Sequence, residues 1–397
     1  MKILIVSQLY YPEKFTISDV ATELVVLGHD VTVITGKPNY SFGRILPEYK
    51  NIKYEVIKGV KVHRVNLLPR TTRSISIIFN YLSFYFNAKR FVRRIKENFD
   101  IVFSFQPSPI TAIAPAILYA KKHQLRHVTH CLDLWPESTV VTGFVKKDSL
   151  MYRMFYKWSR KLYLGCDKIL ISSLSFADYF REVLHINNIP IVYAPQPSLS
   201  SISNAEPIVY SKKNNFVYAG NVGRVQLVDE LAKAGKLISQ RNDLCIHIIG
   251  TGTELENVKK YVTDNDLGSV VICHGQLPLE KTESYYENAD ALIVSLKDDG
   301  YVGKTLPNKL VHYLRFGKPI IGALSGDGRK VLEETKGAVL AEQNAESIAK
   351  AMETIINLPA DKKEEMGQLN KMYYEEHFEI HHVAQLIERE LLDSKNS

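Results

Sequence analysis

The chain has 397 residues, 45% of them hydrophobic and 23% charged, the balance of a soluble globular protein too long for one core and fitting two domains of roughly 200 residues. Residues 1–200 hold 27 Lys and Arg against 14 Asp and Glu, whereas the remainder hold 23 against 29 within a net charge of +7. A basic first half beside an acidic second half excludes a whole-length nucleic-acid binder and points to a membrane surface or nucleic acid as partner of the first half only. Cys131, Cys166, Cys245 and Cys273 are widely spaced and read as reduced core residues, not a metal or disulfide framework. No apolar run approaches the roughly 18 residues of a spanning helix, and the N-terminus MKILIVSQLYYPE reads as a first strand instead of a signal peptide. An intracellular chain is expected.

Lys2–Ser7 is a continuous apolar run, Ile17–Leu27 a helix stopped by Gly28, and Asp30–Thr35 a second strand. The segment Arg73–Lys96 places Ile75, Ile78, Phe79, Leu82 and Phe86 at helical spacing, followed by Lys89, Arg90, Arg93, Arg94 and Lys96. That pattern suits either a helix lying in an anionic membrane interface or a domain helix with its apolar stripe on the sheet; the charge of this half favours the membrane. Strands follow at Lys61–Asn66, Ile101–Phe105, Val128–Cys131 and Lys168–Ser172. His127 and His130, which alternate along the third of these with opposite or offset facings, read as structural. After that strand comes Leu132-Asp133-Leu134-Trp135-Pro136-Glu137, which sets two carboxylates and an indole at the C-terminal edge of a parallel sheet, where ligands bind in such folds. The bland alternative is a core Trp135 and a helix-capping Glu137.

Ala194–Asn215, rich in Pro, Ser and Asn, reads as an interdomain linker. The alternation then restarts, with strands at Phe216–Ala219, Leu244–Ile249, Val270–Cys273, Ala291–Ser295, Pro319–Ile321 and Ala338–Leu340 and a helical tail from about Ala345 to Leu392. This is an α/β chain of two tandem Rossmann-like, doubly wound domains with a ligand crevice between them. The boundaries are 1–195, 214–375 and a C-terminal helix over 376–397 packing back across the domains.

Three turns in the second half suit a ligand, two of them an anion. Gly220-Asn221-Val222-Gly223-Arg224 combines backbone freedom with a forked cation. Gly250-Thr251-Gly252 lacks the third glycine of a dinucleotide fingerprint, since Leu255 stands there, which disfavours NAD. It is either a tight strand-to-helix turn or a contact to a nucleotide base. Tyr301–Gly322 sets Lys304 and Lys309 at the expected start of a helix, whose free N–H groups favour anions. Two such turns suggest a diphosphate ligand. Asp298-Asp299 could hold a divalent metal on it, but Asp-Asp-Gly after a strand is turn chemistry, and no metal is expected.

YPE, GHDVTVITGKPNY, FQPSPIT, DLWPES, YAGNVGR, IIGTG and TLPNKLVHYLRFGKPIIG together resemble the GT-B glycosyltransferases, specifically retaining family 4. Within it the chain looks like a bacterial subgroup that builds O-antigen or capsule, assigned to N-acetyl-L-fucosamine or a related N-acetylated 6-deoxy amino sugar. The resemblance implies a metal-independent enzyme with no cofactor, using a UDP-sugar held by the second domain. The acceptor would be an undecaprenyl-diphosphate-linked saccharide held by the first, at the cytoplasmic face of the inner membrane, with Arg90, Arg93 and Arg94 on the lipid. Donor contacts would come from Gly220, Asn221, Gly223, Arg224, Gly250, Gly252, Pro307, Asn308, Lys309 and His312. Glu13 and Trp135 would lie on the acceptor side, and Asp133, Glu137 and Lys304 at the reacting centre. The family's two glutamates eight positions apart are replaced here by Lys304 and His312. The rival readings are a UDP-sugar 2-epimerase, a non-catalytic partner in polysaccharide assembly and, more weakly, an NAD-linked oxidoreductase.

Overall fold

The computed structural model describes all residues except 41–42, 72–73, 142, 199–207 and 397. The chain divides into two compact units, Met1–Leu199 with Ile380–Ser397, and Ser200–Glu379.

In the first unit the strands are β1 (Lys2–Val6), β2 (Asp30–Gly36), β3 (Tyr54–Ile57), β4 (Val60–Val65), β5 (Ile101–Gln106), β6 (His127–Cys131), β7 (Lys168–Ile171) and β8 (Ile191–Tyr193). They form one sheet in the order β3-β4-β2-β1-β5-β6-β7-β8, parallel except for the β3–β4 pair. The order reverses at β1. Alternate residues of one strand serve opposite cores: Ile3 and Ile5 join one cluster, Leu4 and Val6 the other. A strand buried on both faces must be apolar throughout, hence the unbroken ILIV run. The last helix, Ile380–Asn396, belongs to this unit: Val383, Ile387 and Leu391 enter the core beside Ile17 and Leu24, and Glu390 pairs with Lys168 at 2.8 Å.

The second unit has β9 (Asn214–Ala219), β10 (Leu244–Ile249), β11 (Val271–Gly275), β12 (Ala291–Ser295), β13 (Ile320–Ala323) and β14 (Ala338–Leu340). Its sheet is wholly parallel, in the order β11-β10-β9-β12-β13-β14.

The described residues depart from the sequence expectations in several places. Strands β3 and β8 were not expected. Residues 199–207 of the Ala194–Asn215 linker lie outside the described residues, and Asn214 already belongs to β9. The basic segment is helical over Ser74–Val92, its expected start at Arg73 falling outside the described residues. Arg93, Arg94 and Lys96 thus lie beyond the last helical residue. Lys304 does not start the helix that carries Lys309. It caps the C-terminus of a separate short turn, Gly300–Gly303, and the helix proper is Asn308–Arg315 with Pro307 at its N-cap. Pro307 has no N–H and a fixed φ, so the chain breaks before it and resumes after it.

Candidate functional site

In the second unit, the ends of β9 and β10 lie side by side as paired backbone. Gly220 donates to the Ile249 carbonyl (2.9 Å), Val222 to that of Thr251 (2.8 Å), and Glu254 to that of Val222 (2.9 Å). A Cβ on Gly250 would stand 1.8 Å from the Gly220 carbonyl oxygen, and one on Gly252 2.2 Å from that of Val222. These two glycines are therefore demanded by loop-on-loop packing, whatever else passes near them. Gly220 itself has φ +140°, and a Cβ there would meet Lys309 Nζ at 2.8 Å.

Lys309 is the charged group of this loop. Its Nζ donates to the Tyr218 hydroxyl at 2.6 Å and sits 3.9 Å from the centre of that ring. The Tyr218 hydroxyl in turn donates to the Asn221 carbonyl at 2.6 Å. One helical turn on, the Tyr313 hydroxyl accepts from Ala219 N–H (2.8 Å) and donates to the Ala219 carbonyl (3.1 Å). The helix is thus bolted to the end of β9 by Tyr313, and Lys309 at i−4 is delivered beneath the glycine turn. Burial pulls its ammonium down to about 7, and among the described residues no carboxylate forms an ion pair with it. A buried cation without a counter-charge is costly unless an anion supplies one.

The other expected donor residues are placed differently. Arg224 opens a 3-10 turn, Arg224–Gln226; its side chain is 88% exposed and reaches Glu254 at 3.3 Å. Asn221 donates to Gln226 at 3.0 Å, and Gly223 lies tight against both. Asn308 is exposed at the first helical residue. His312 packs edge-on against Tyr286 and Phe316 and lies 3.6 Å from Glu283, which Arg315 holds at 2.7 Å. Burial and then Arg315 pull His312 down to about 3, so it is a neutral ring. Lys304 is exposed, and its carbonyl accepts from Asp327 N–H at 2.8 Å, tying this turn to the following helix. Asp298 N–H donates to the Gln343 side chain at 2.8 Å.

In the first unit, the candidate groups all leave the C-terminal edge of the parallel strands. After β6, Asp133 accepts from Ser108, Ser138 and the Leu134 N–H, but burial outweighs these bonds and pushes its carboxyl up to about 6. A carboxyl titrating there exchanges protons near neutrality. Trp135 is buried, donates its indole N–H to Ser108 and packs on Phe155. Glu137, at the first residue of a short helix, accepts from the Tyr152 hydroxyl at 2.6 Å. Glu13 is buried, and its carboxylate accepts the backbone N–H groups of Asn39 (2.8 Å) and Tyr40. It braces the loop after β2, a role its YPE context does not reveal. His127 and His130 are buried on β6, bonded to Ser104 (2.8 Å) and the Ala194 carbonyl (2.8 Å), and burial holds both near 4. They are structural.

Four residues overlooked in the sequence complete this edge. Gln8 donates to Asn80 (2.7 Å), Asn80 to Asn39 (2.9 Å), and Asn39 accepts from the Arg70 N–H (2.9 Å). The signal was faint: Gln8 two residues after β1, and Asn80 as a buried polar position on helix Ser74–Val92, whose other buried residues among those described are apolar. That helix buries Asn80, Phe84, Ala88 and Val92, and turns Ile75, Ile78, Phe79 and Phe86 outward. The stripe expected to face either the sheet or a membrane is therefore exposed. Beside it, joined by a Tyr85–Trp158 ring contact at 6.2 Å, helix Leu150–Tyr163 exposes Leu150, Met151 and Met154.

Among the described residues, no group of three or more His, Cys, Asp or Glu is placed to hold a metal ion, and no helix is long and apolar enough to cross a membrane.

Comparison with known proteins bears on both units. A model of Glycosyltransferase Family 4 matches residues 15–197, and one of Glycosyl transferases group 1 matches residues 202–372. The probable glycosyltransferase WbjE of Pseudomonas aeruginosa is 23% identical over 288 residues, 69% of each chain. Among solved structures, Anabaena HepE in complex with UDP matches with a TM-score of 0.66 and 13% identity over 99% of this chain and 100% of that one. WaaG, a glycosyltransferase involved in lipopolysaccharide biosynthesis, matches with a TM-score of 0.66 and 12% identity over 97% and 99%. At these identities the structural likeness speaks for the fold. With a glycosyltransferase domain of one kind over its first unit and of another over its second, the chain is a glycosyltransferase of the GT-B fold.

Proposed function

We propose that this glycosyltransferase moves a sugar from UDP to a saccharide carried on a lipid diphosphate, in the assembly of a surface polysaccharide. The observation that carries the reading is Lys309, a half-buried ammonium beneath the Gly220 turn that forms no ion pair among the described residues. A diphosphate supplies the missing negative charge. Arg224, largely exposed, closes on the same group, and charge building on the departing UDP is stabilised without a metal. HepE was solved with UDP, and WaaG acts in lipopolysaccharide biosynthesis; both support the donor and the pathway class proposed for this chain. The DLWPES and GHDVTVITGKPNY motifs favour an N-acetylated 6-deoxy amino sugar such as N-acetyl-L-fucosamine, transferred with retention.

In that retaining reaction the leaving phosphate oxygen takes the acceptor proton, so no strong protein base is required. Asp133, titrating near 6, orients the acceptor hydroxyl and balances positive charge at the anomeric carbon. His312 and Lys304 stand where the family has its glutamates; a neutral ring and an exposed lysine demand a different pattern of donor hydroxyls. The outward Ile78, Phe79 and Phe86, with exposed Arg90, Arg93 and Arg94 following, hold the first unit on the inner face of the cytoplasmic membrane, where such an acceptor resides.

Calorimetric titration with UDP, with and without EDTA, tests the donor site. Micromolar binding indifferent to EDTA and weakened together with transfer by Arg224→Ala is expected. No UDP binding refutes the reading.

A further inference from the structure

We propose that Arg70, held between Tyr40 and Tyr81, is an oxyanion-binding site of the first unit that receives a phosphate of the acceptor. The inference rests on the lipid-diphosphate reading of the acceptor above, and deepens it by naming the group that recognises the diphosphate.

Arg70 lies in the segment between β4 and helix Ser74–Val92, at the same strand-end edge as Asp133 and the Glu13-braced loop. Its guanidinium carbon stands 4.3 Å from the centre of the Tyr40 ring and 5.8 Å from that of Tyr81. One terminal nitrogen donates to the Tyr81 hydroxyl at 3.2 Å. Nothing else among the described residues accepts from its side chain, and no carboxylate lies within ion-pair distance. Arg64, in the same half of the chain, shows the usual alternative: it is paired with Glu55 and bonded to the Gly36 and Tyr11 carbonyls.

The positioning of Arg70 is not casual. Its backbone N–H is fixed by Asn39, Asn39 by Asn80, and Asn80 by Gln8, all at most 3% exposed. Tyr40, which covers one face of the guanidinium, is held through its own N–H by buried Glu13. Burying four polar side chains to orient one cation costs more than apolar packing would, unless that cation has a ligand. Two aromatic rings restrain the plane, and the remaining donors of the fork match the paired oxygens of a phosphate. Arg70 and Asp133 both leave the C-terminal edge of the parallel strands, after β4 and β6, and the charge of Asp133 acts on Tyr81. An acceptor whose diphosphate is gripped at Arg70 would present its sugar towards that carboxyl.

The test uses the full chain, saturated with UDP so that the second unit's phosphate site is filled, and titrated with farnesyl diphosphate and with farnesol. Wild type should bind the diphosphate, and Arg70→Gln should weaken it at least tenfold while leaving farnesol and UDP affinity unchanged. Arg70→Lys keeps the charge and loses the fork, so it should fall between the two. Tyr81→Phe, which removes only the orienting hydroxyl, gives a second variant should Arg70→Gln fold poorly. Vesicles containing phosphatidylglycerol separate the two sources of phosphate. Unchanged vesicle binding in Arg70→Gln supports an acceptor site, whereas loss confined to vesicles would overturn it in favour of a lipid headgroup. Equal diphosphate binding by wild type and Arg70→Gln, or displacement of the diphosphate by UDP, would also overturn it. Failure of UDP to bind at all would instead refute the donor reading, and the diphosphate titration without UDP would still decide the role of Arg70.

Discussion

Raising the pH should release UDP, because the donor site depends on a lysine that is easily discharged. With Lys309 titrating at about 7 in the free protein, half of the molecules carry the ammonium at pH 7 and roughly one in a hundred at pH 9. A bound diphosphate raises that pKa by supplying the missing counter-charge. Only the protonated form then binds well, and affinity falls by the ratio of protonated fractions, about 50-fold between pH 7 and pH 9. The terminal phosphate of UDP, titrating near 6, is already ionised over this window and does not confuse the result. Calorimetry at pH 8 in buffers of different ionisation enthalpy should show uptake of about 0.9 proton per UDP bound. Lys309→Met should bind weakly at every pH, with neither slope nor proton uptake. A wild-type affinity that is flat from pH 7 to pH 9, with no proton taken up, would refute the idea that Lys309 meets the diphosphate.

Other perturbations have defined outcomes. Asp133→Asn should abolish transfer and yet melt higher than wild type at pH 8. A carboxyl raised to about 6 from the unfolded value near 3.9 loses its stabilising contribution as pH climbs through 6, by about 1–3 kcal/mol. The advantage of the variant should therefore shrink as pH is lowered towards 4, which thermal melts across pH will show. Gly250→Ala drives a methyl into the Gly220 carbonyl at a φ of +136°, costing at least about 1–3 kcal/mol. Urea unfolding should show this loss of stability, since the strain is structural. Replacing Arg90, Arg93 and Arg94 by Gln should weaken binding to anionic vesicles by about 3 kcal/mol at roughly 1 kcal/mol per cation, more at low salt than at high. Unchanged vesicle pelleting would assign that helix a purely structural role.

Much of the fold was legible because the second sheet is wholly parallel and the first is parallel but for β3. Runs such as ILIV at Ile3–Val6 and ALIV at Ala291–Val294 are buried on both faces, so hydrophobicity alone marks them. Strand β3 escaped because it alternates exposed and half-buried residues, Tyr54, Glu55, Val56 and Ile57. It is joined to β4 by Lys58-Gly59, both at positive φ, a two-residue hairpin turn whose first position is disguised by a lysine. The glycine turns of the second unit were legible, but their reason was not. Gly250 and Gly252 are glycines because the neighbouring loop's carbonyls leave no room for a Cβ, and no local pattern reports a contact between two loops. Lys304 and Lys309 looked equivalent in sequence; only the break at Pro307 separates an exposed lysine from the half-buried one. The Gln8–Asn80–Asn39–Arg70 chain spans 72 positions, and single polar residues so far apart give no signal until the fold gathers them.

The central claim is transfer from a UDP-sugar, and UDP release is its most direct readout. The purified protein would be given a panel of UDP-activated N-acetyl amino sugars, with and without a lipid-diphosphate saccharide prepared from bacterial membranes. UDP appearing only when donor and acceptor are both present, with the saccharide one sugar heavier, is the predicted result. Conversion of the donor to an epimer without acceptor, or no turnover with any donor despite tight UDP binding, would contradict it.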